Sequence, residues 1–267
     1  MMASSGKPST WEARTAVEWQ SVLLIPAVHV YETTASTNDV ARNLAEQGAD
    51  SLTLVLADHQ TSGRGRAGRS WISTPGSSLL CSIVFCVDGT VDAAPGAAPV
   101  RIGNAVAEAA AEVAAVDARV KWPNDVVIPG HGKVAGILCE AVMRQGSAFV
   151  IAGIGVNVSS TGGTYASLAE AAGHAVSRAE LLRRIVDKLR PFANRVTMPL
   201  TDDELERMRP RDILFGQHVI DDTGLTGIAA GIASDGSLLV QTDAGMTSVH
   251  NATIRLAGSH QYPGANV

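Results

Sequence analysis

The segment over residues 63–69 constrains the fold more than any other short stretch of the chain. Its sequence, Gly-Arg-Gly-Arg-Ala-Gly-Arg, matches the G-x-G-x-x-G pattern of dinucleotide-binding turns. That pattern binds a dinucleotide where a strand leads into it and a helix opens directly from the glycines. The residues that follow, 70–76, read Ser-Trp-Ile-Ser-Thr-Pro-Gly and do not favour a helix. The glycines therefore predict a flexible loop and argue against a Rossmann fold.

The same loop carries three arginines on an otherwise acidic chain. The sequence has 21 basic and 26 acidic residues, so its formal net charge of -5 provides no overall field for nucleic acid or an anionic membrane. Neighbouring guanidinium groups repel one another unless an anion joins them, and phosphate or carboxylate is the natural bidentate partner. On the loop alone, two interpretations stay open: a local anion site formed by Arg64, Arg66 and Arg69, or a solvated basic turn.

A second set of polar residues lies around a predicted hairpin. The segment Lys-Trp-Pro-Asn-Asp over residues 121–125 leaves a strand through a proline turn, and Gly-Lys-Val-Ala-Gly-Ile-Leu over 132–138 enters another. This spacing predicts Lys121 and Lys133 on neighbouring strands near Asn124 and Asp125. Such a group could bind a nucleotide phosphate with its Mg²⁺. The alternative is an ordinary hairpin with an Asx turn and solvated lysines.

Two further segments have the composition of a binding site. Gly153 and Gly155 lie in an apolar strand, where missing side chains allow close approach of a ligand or another backbone, or else mark a β-bulge. The segment Ser-Thr-Asn-Asp over residues 36–39 reads as a helix start with a hydroxyl cap. The seven histidines show no ligand spacing, so no metal-binding residue is predicted.

The remaining pattern predicts an α+β protein with one large and one small domain. Apolar runs predict strands over residues 52–57, 79–87, 120–122, 126–128, 134–142 and 149–158, the last four as an antiparallel meander. Helices are predicted over 99–116, after the Ser177 cap and after the Thr201 cap. After Pro210, short strands near 219, 228, 238–241 and 249–256, with a hairpin at Asp235-Gly236, predict a small β-barrel. Residues 1–20 read as a flexible tail.

Composition narrows the class of protein. Three cysteines without a C-x-x-C pair predict neither disulfides nor a zinc site and favour a reducing cytoplasm. No apolar run approaches the ~20 residues of a membrane span. Few aromatic residues argue against an RNA-binding sheet that stacks bases.

Five motifs resemble, in their order along the chain, those of biotin protein ligase: residues 36–38, 60 with 63–71, 121–125, 132–138 and 153–157. The end of the chain more weakly resembles that family's small SH3-like domain. The resemblance implies a class II synthetase-like catalytic domain with a mixed β-sheet flanked by helices over residues 21–210, and an SH3-like β-barrel over 211–267. Only about 20 to 30 residues precede the matching pattern, which predicts the monofunctional type without a DNA-binding domain.

The resemblance also implies two half-reactions. Biotin and ATP, with Mg²⁺, form biotinyl-5′-AMP and pyrophosphate, and the biotinyl group then passes to one lysine of a biotin carboxyl carrier domain. No tightly bound prosthetic group is expected. The implied biotin-binding residues are Ser36, Thr37, Asn38, Gln60, Gly63, Arg64, Gly65, Arg66, Lys133, Gly136, Gly153 and Gly155. The implied nucleotide and adenylate residues are Arg64, Arg66, Arg69, Trp71, Lys121, Asn124, Lys133 and Asn157.

The chemistry of the residues agrees with these roles. Attack of a carboxylate on the α-phosphate brings two anions together, and Arg66, Lys133 and Mg²⁺ can neutralise and align them. Acyl transfer then needs a neutral lysine amine, and Asp125 is the candidate to orient or deprotonate it. Lys133, Arg66 and Asp125 are therefore the predicted catalytic residues.

The sequence leaves two alternative functions open. A lipoate protein ligase uses the same two-step chemistry on a similar fold, although the arginine loop and the small C-terminal domain favour biotin. A nucleic-acid-binding module would use the arginine loop alone, which the net negative charge disfavours. The expected protein is cytoplasmic, binds neither nucleic acid nor membrane, and is a monomer or weak homodimer.

Overall fold

Two β-sheets organise the computed structural model, which describes residues 9–87, 96–144, 146–159 and 165–257. Its strands are β1 (Thr10–Trp11), β2 (Arg14–Thr15), β3 (Val28–Thr34), β4 (Leu54–Gln60), β5 (Ser78–Val87), β6 (Arg119–Lys121), β7 (Asp125–Ile128), β8 (Gly132–Arg144), β9 (Ser147–Asn157), β10 (His218–Ile220), β11 (Thr226–Ile232), β12 (Leu238–Thr242), β13 (Gly245–Val249) and β14 (Arg255–Leu256). Its helices are α1 (Ala16–Leu23), α2 (Thr37–Glu46), α3 (Ala97–Ala114), α4 (Leu168–Ala172), α5 (Arg178–Leu189) and α6 (Asp202–Met208).

The larger sheet is mixed and has the strand order β3-β4-β5-β9-β8-β7-β6. Strands β3 and β4 are parallel, and every other neighbouring pair is antiparallel. The predicted meander from β6 to β9 is confirmed. The predicted placement of Lys121 and Lys133 on neighbouring strands is wrong, because β7 lies between β6 and β8. In a meander, alternate strands are separated by the strand that connects them.

Both faces of this sheet are buried. Along β4, Leu54 and Leu56 belong to a large core that includes residues of α3 and α5, whereas Val55 belongs to a second core with Ala41 and Ala45 of α2. Successive side chains of a strand point to opposite faces, so one strand supplies both cores. Helix α2 contacts the central strands of the sheet, and its N-terminus therefore lies beside them.

Helix capping follows the predictions in two of three places. The Ser177 hydroxyl accepts a hydrogen bond from the backbone N–H of Glu180, and Thr201 forms a full capping box with Glu204. Ser36 occupies the N-cap position of α2, but its side chain makes no capping hydrogen bond. The predicted hydroxyl cap at Ser36 is therefore wrong, although the helix begins where the sequence indicated.

The described part of the predicted N-terminal tail is folded. Within residues 9–20, β1 pairs with β2 and α1 begins at Ala16. Trp11 and Trp19 are each only 1% exposed, and Arg178 of α5 lies 5.2 Å from the Trp11 ring. The prediction of a flexible tail is wrong for these residues because two tryptophans bury against the main body, while residues 1–8 lie outside the described residues.

The smaller sheet is antiparallel, with the order β13-β12-β11-β10-β14. The predicted hairpin at Asp235-Gly236 is confirmed and joins β11 to β12. The predicted strand over 249–256 is instead divided between β13 and β14. Trp122 of the main body donates its indole N–H to the carbonyl oxygen of Gly236 at 2.8 Å, so the small sheet contacts the β6–β7 turn.

Buried polar contacts join the main body to the segment before the small sheet. Arg101 of α3, which is 2% exposed, donates to Glu204 at 2.7 Å and to backbone carbonyls such as that of Met198 at 3.0 Å. Burial works to raise the pKa of Glu204, but the hydrogen bonds from Arg101 and Thr201 and the charge of Arg101 together outweigh burial and lower it. No helix in the described ranges is long and apolar enough to cross a membrane.

Candidate functional site

A cleft that is open to solvent lies between the arginine loop, the N-terminus of α2 and strands β8 and β9. Of the residues predicted from the sequence, the cleft is lined by Ser36, Thr37, Asn38, Gln60, Arg64, Gly65, Arg66, Arg69, Trp71, Asn124, Asp125, Lys133, Gly136, Gly153, Gly155 and Asn157. Five segments that are far apart in the sequence thus meet in one place.

Two predicted residues do not line the cleft. A Cβ atom on Gly63 would lie 3.3 Å from Cβ of Trp71 and 3.1 Å from Nε2 of Gln60, so this glycine allows the base of the loop to pack closely. Lys121 lies on β6, and burial lowers its pKa. The carboxylate of Asp125 opposes that shift, while the charge of Lys133 adds to it. Both residues border the site without forming its wall.

A hydrogen-bonded network forms the wall of the cleft at the start of α2. Gln60 Oε1 accepts from the backbone N–H of Thr37 at 2.7 Å and from its hydroxyl at 3.1 Å. The buried Ser82 hydroxyl lies 2.8 Å from Thr37 Oγ1 and 2.6 Å from Asn38 Oδ1. Because these polar groups are satisfied by one another, their positions are held before any ligand arrives.

The side chain of Asn38 also reaches strand β8. Its Nδ2 donates to Glu140 Oε2 at 2.7 Å and to the carbonyl oxygen of Leu138 at 3.4 Å. Glu140 pairs in addition with Arg42 at 3.1 Å and with Arg64 at 3.5 Å. One carboxylate therefore connects the wall of the cleft, helix α2 and the arginine loop.

Glycines on β8 and β9 make room for side chains that lie across the sheet. Gly136 and Gly155 are direct partners on neighbouring strands. A Cβ atom on Gly155 would lie 2.6 Å from Cε2 of Trp71, and a Cβ atom on Gly136 would lie 3.0 Å from its Cζ3. A Cβ atom on Gly153 would overlap Oδ1 of Asn38. The register of β9 with β5 and β8 is continuous here, so these glycines mark close approach and not a bulge.

The arginine loop is anchored on both sides of the cleft. Arg64 pairs with Asp39 of α2 at 2.7 Å. Arg66 donates to Asn124 Oδ1 at 3.0 Å and to Oδ1 of Asn251, which follows strand β13 of the smaller sheet. Burial lowers the pKa of Arg66, and the carboxylate of Asp125 opposes that shift. The loop thus crosses from the main body to residues that follow β13.

Lys133 lies at the centre of the charged end of the cleft. Its Nζ is 2.7 Å from Asp125 Oδ1 and 5.7 Å from the centre of the Trp71 ring. Two buried polar atoms nearby, Nε1 of Trp71 and Oδ1 of Asn157, have no hydrogen-bond partner among the described residues. Unsatisfied buried groups are costly, so a bound ligand with complementary atoms would gain by pairing with them.

Sequence reasoning missed several residues of the site. Ser82 and Glu140 interrupt otherwise apolar strands, which is a signal of buried polar function that the sequence did contain. Cys81, Ile137, Leu138, Ile154 and Tyr165 also line the cleft, and burial raises the pKa of the Cys81 thiol to about 12. No cluster of three or more His, Cys, Asp or Glu residues with the geometry to hold a metal occurs in the described part of the chain.

A model described as the biotin/lipoate A/B protein ligase family matches residues 30–157. The chain is 30% identical over 245 residues to the bifunctional ligase/repressor BirA of Bacillus subtilis, covering 85% of this chain and 73% of that protein. It is 32% identical over 242 residues to the biotin–acetyl-CoA-carboxylase ligase of Paracoccus denitrificans, covering 84% and 98%.

A solved structure also matches the fold. Aquifex aeolicus biotin protein ligase in complex with biotin and ATP superimposes with a TM-score of 0.70 at 25% sequence identity. The match covers 87% of this chain and all of that one. The similarity extends over the mixed sheet and into the separate antiparallel sheet.

Proposed function

Because this chain belongs to the biotin/lipoate A/B protein ligase family, we propose that its cleft activates biotin with ATP and transfers the biotinyl group to a lysine of a carboxyl carrier domain. The chain is an enzyme of the biotin ligase type. We assign the two half-reactions to particular residues of the cleft.

One observation carries the proposal. One end of the cleft is charged and is surrounded by Arg66, Lys133 and Asn124. The other wall of the same cleft is the neutral network of Gln60 and Thr37. A ligand with a polar uncharged head and a carboxylate tail matches this division. The tail would then lie where cations can bring it next to the α-phosphate of ATP.

The biotin subsite in this proposal includes the start of α2 and the glycines of β8 and β9. Gln60, Thr37 and Asn38 provide hydrogen-bonding groups, and Gly153 leaves the space that the Asn38 side chain occupies. Apolar side chains such as Ile154 complete the wall. These groups would orient biotin, while Arg64 and Arg66 would meet its carboxylate.

The nucleotide subsite contains the polar atoms that lack partners. Trp71 Nε1 and Asn157 Oδ1 are a donor and an acceptor that could pair with the nucleotide. Lys133 and Arg66 would stabilise the negative charge that develops as pyrophosphate leaves. Mg²⁺ would arrive with the ATP phosphates, since it usually keeps most of its ligands from water and phosphate.

The second half-reaction needs an acceptor amine without its proton. The Asp125 carboxylate is the candidate to orient or deprotonate that amine, and it lies beside Lys133 and Asn124. The loop over residues 63–69 would cover the mixed anhydride and keep water from it until the carrier lysine arrives.

The proposal also covers the domain boundaries, the cellular location, the oligomeric state and the acceptor protein. We assign the catalytic domain to residues 21–210, with residues 9–20 packed against it, and an SH3-like domain to 211–267. We assign the protein to the cytoplasm as a monomer or weak homodimer. The acceptor would be the biotin carboxyl carrier domain of an acyl-CoA carboxylase.

The test is incubation with ATP and Mg²⁺ and either biotin or lipoate, followed by mass spectrometry of the bound adenylate. We expect biotinyl-5′-AMP with biotin, and little lipoyl-AMP. A preference for lipoate, or no adenylate from either acid, would contradict the proposal.

A further inference from the structure

The strongest unassigned feature of the cleft is the contact of Glu140 with Asn38. Glu140 lies on β8, and its side chain is 23% exposed. Neither residue type is unusual, but Asn38 is one of the few buried polar residues of the cleft wall, and Glu140 accepts the shorter of its two amide hydrogen bonds, at 2.7 Å.

The contact determines which end of the Asn38 carboxamide can face a ligand. An ionised carboxylate only accepts hydrogen bonds, so the amide must turn its NH₂ group toward Glu140. The second N–H is directed to the Leu138 carbonyl oxygen at 3.4 Å. Arg42 and Arg64 pair with the same carboxylate and hold it beside Asn38.

The amide oxygen is consequently left on the side of the cleft. Oδ1 is the Asn38 atom nearest to the place where a Cβ on Gly153 would lie, and both residues line the cleft. Ser82 donates at most one hydrogen bond to Oδ1, at 2.6 Å, and a carboxamide oxygen has two lone pairs. An acceptor therefore remains for a ligand, while both Asn38 donors are already used.

From this geometry we propose that Glu140 is a positioning residue for ligand selection: it fixes Asn38 with its oxygen toward the cleft, so that this end of the site selects ligands that carry an N–H donor. The inference rests on the proposed function and adds a basis for its specificity. A cyclic urea such as that of biotin carries N–H groups, whereas the dithiolane ring of lipoate carries none.

The test uses two substitutions at Glu140 and one control. E140M keeps the length of the side chain and removes the acceptor, which frees Asn38 to turn. E140Q keeps an acceptor oxygen and removes the charge. E112M is the matched control, because Glu112 pairs with Lys188 on the surface between α3 and α5 and is remote from the cleft.

The measurements are the dissociation constants of biotin and lipoate by calorimetry, with Tm for each variant. We expect E140M to weaken biotin binding about tenfold or more, with E140Q intermediate and E112M unchanged. The dissociation constant of lipoate should not rise in parallel, so the ratio of the lipoate to the biotin dissociation constant should fall. A purely structural role would lower Tm and affect both acids equally.

The outcomes separate the two proposals. If the unmodified protein forms no biotinyl adenylate, the proposed function fails. If it forms the adenylate but E140M keeps the full preference for biotin over lipoate, the role of Glu140 is overturned. Should E140M not fold, E140Q decides, because an unchanged preference in that variant would equally contradict the role.

Discussion

The Nζ atom of Lys133 lies 2.7 Å from Oδ1 of Asp125, so two of the three predicted catalytic residues neutralise each other in the cleft. In the proposed reaction, each residue must leave this ion pair before it can perform its own role. Lys133 would turn to the carboxylate and phosphate during adenylation. Asp125 would turn to the acceptor amine during transfer.

Asp125→Asn separates these tasks. The variant keeps the size of the side chain but removes its basicity and charge, so we expect adenylate formation to persist and transfer to the carrier domain to slow by about 10²-fold or more. Single-turnover transfer from preformed adenylate measures the second step alone. Normal adenylate binding with a normal transfer rate would exclude the role of Asp125.

Arg66→Ala tests the loop. Arg66 connects the loop to Asn124 at 3.0 Å and to Asn251. Losing a charged hydrogen-bonding group costs about 1.5–3 kcal/mol, so we expect biotinyl-AMP to dissociate about 10- to 100-fold faster. Stopped-flow displacement measures this rate, and Arg184→Ala on α5 is the control. Equal dissociation rates in the two variants would refute retention by Arg66.

Gly155→Ala tests the close approach of Trp71 to β9. The added Cβ would lie 2.6 Å from the indole, so the ring must move, at a cost of about 1–3 kcal/mol. We expect altered Trp71 fluorescence and weaker ATP binding. Gly103→Ala is the control, since its nearest neighbour atom would be at an ordinary 3.7 Å. Unchanged fluorescence and ATP affinity would show that the ring does not pack on Gly155.

Asp212 predicts a pH dependence of stability. Burial raises its pKa from an ordinary 3.8 to about 6, and its Oδ2 has no hydrogen-bond partner among the described residues. A raised carboxyl pKa means that the folded state binds more protons than the unfolded state between about pH 4 and 6. Stability due to this group therefore falls as pH rises through that window, by up to about 3 kcal/mol.

Chemical denaturation between pH 4 and 7 measures this contribution. In Asp212→Asn we expect the decline to be smaller than in the unmodified protein. Asp203→Asn, at an exposed position of α6, is the control and should keep the original profile. Identical profiles for all three proteins would contradict a raised pKa at Asp212.

Local patterns predicted much of the fold because local physics determines those parts. The apolar runs of β5, β8 and β9 bury in the sheet, and the Ser177 and Thr201 caps form as expected. For Gly153 and Gly155 the sequence left close approach and a β-bulge open, and the structure shows close approach, by the side chains of Asn38 and Trp71.

Contacts between distant segments were harder to predict. In residues 9–20, Trp11 and Trp19 bury against distant parts of the chain, and in the wall of the cleft Ser82 and Glu140 contact Asn38. A polar residue inside an apolar strand signals a partner, but one sequence does not say which one. The separation of Lys121 from Lys133 required the strand order, since spacing alone does not distinguish neighbouring from alternate strands.

The most direct test of the account is pyrophosphate release by Lys133→Ala in a single turnover with biotin, ATP and Mg²⁺. Lys133 lines the cleft between Asp125 and Trp71, where the carboxylate and the α-phosphate would meet. We predict that the unmodified protein releases pyrophosphate only when biotin is present, and that the folded variant, with an unchanged Tm, releases none above background. Normal pyrophosphate release by the variant would contradict the account.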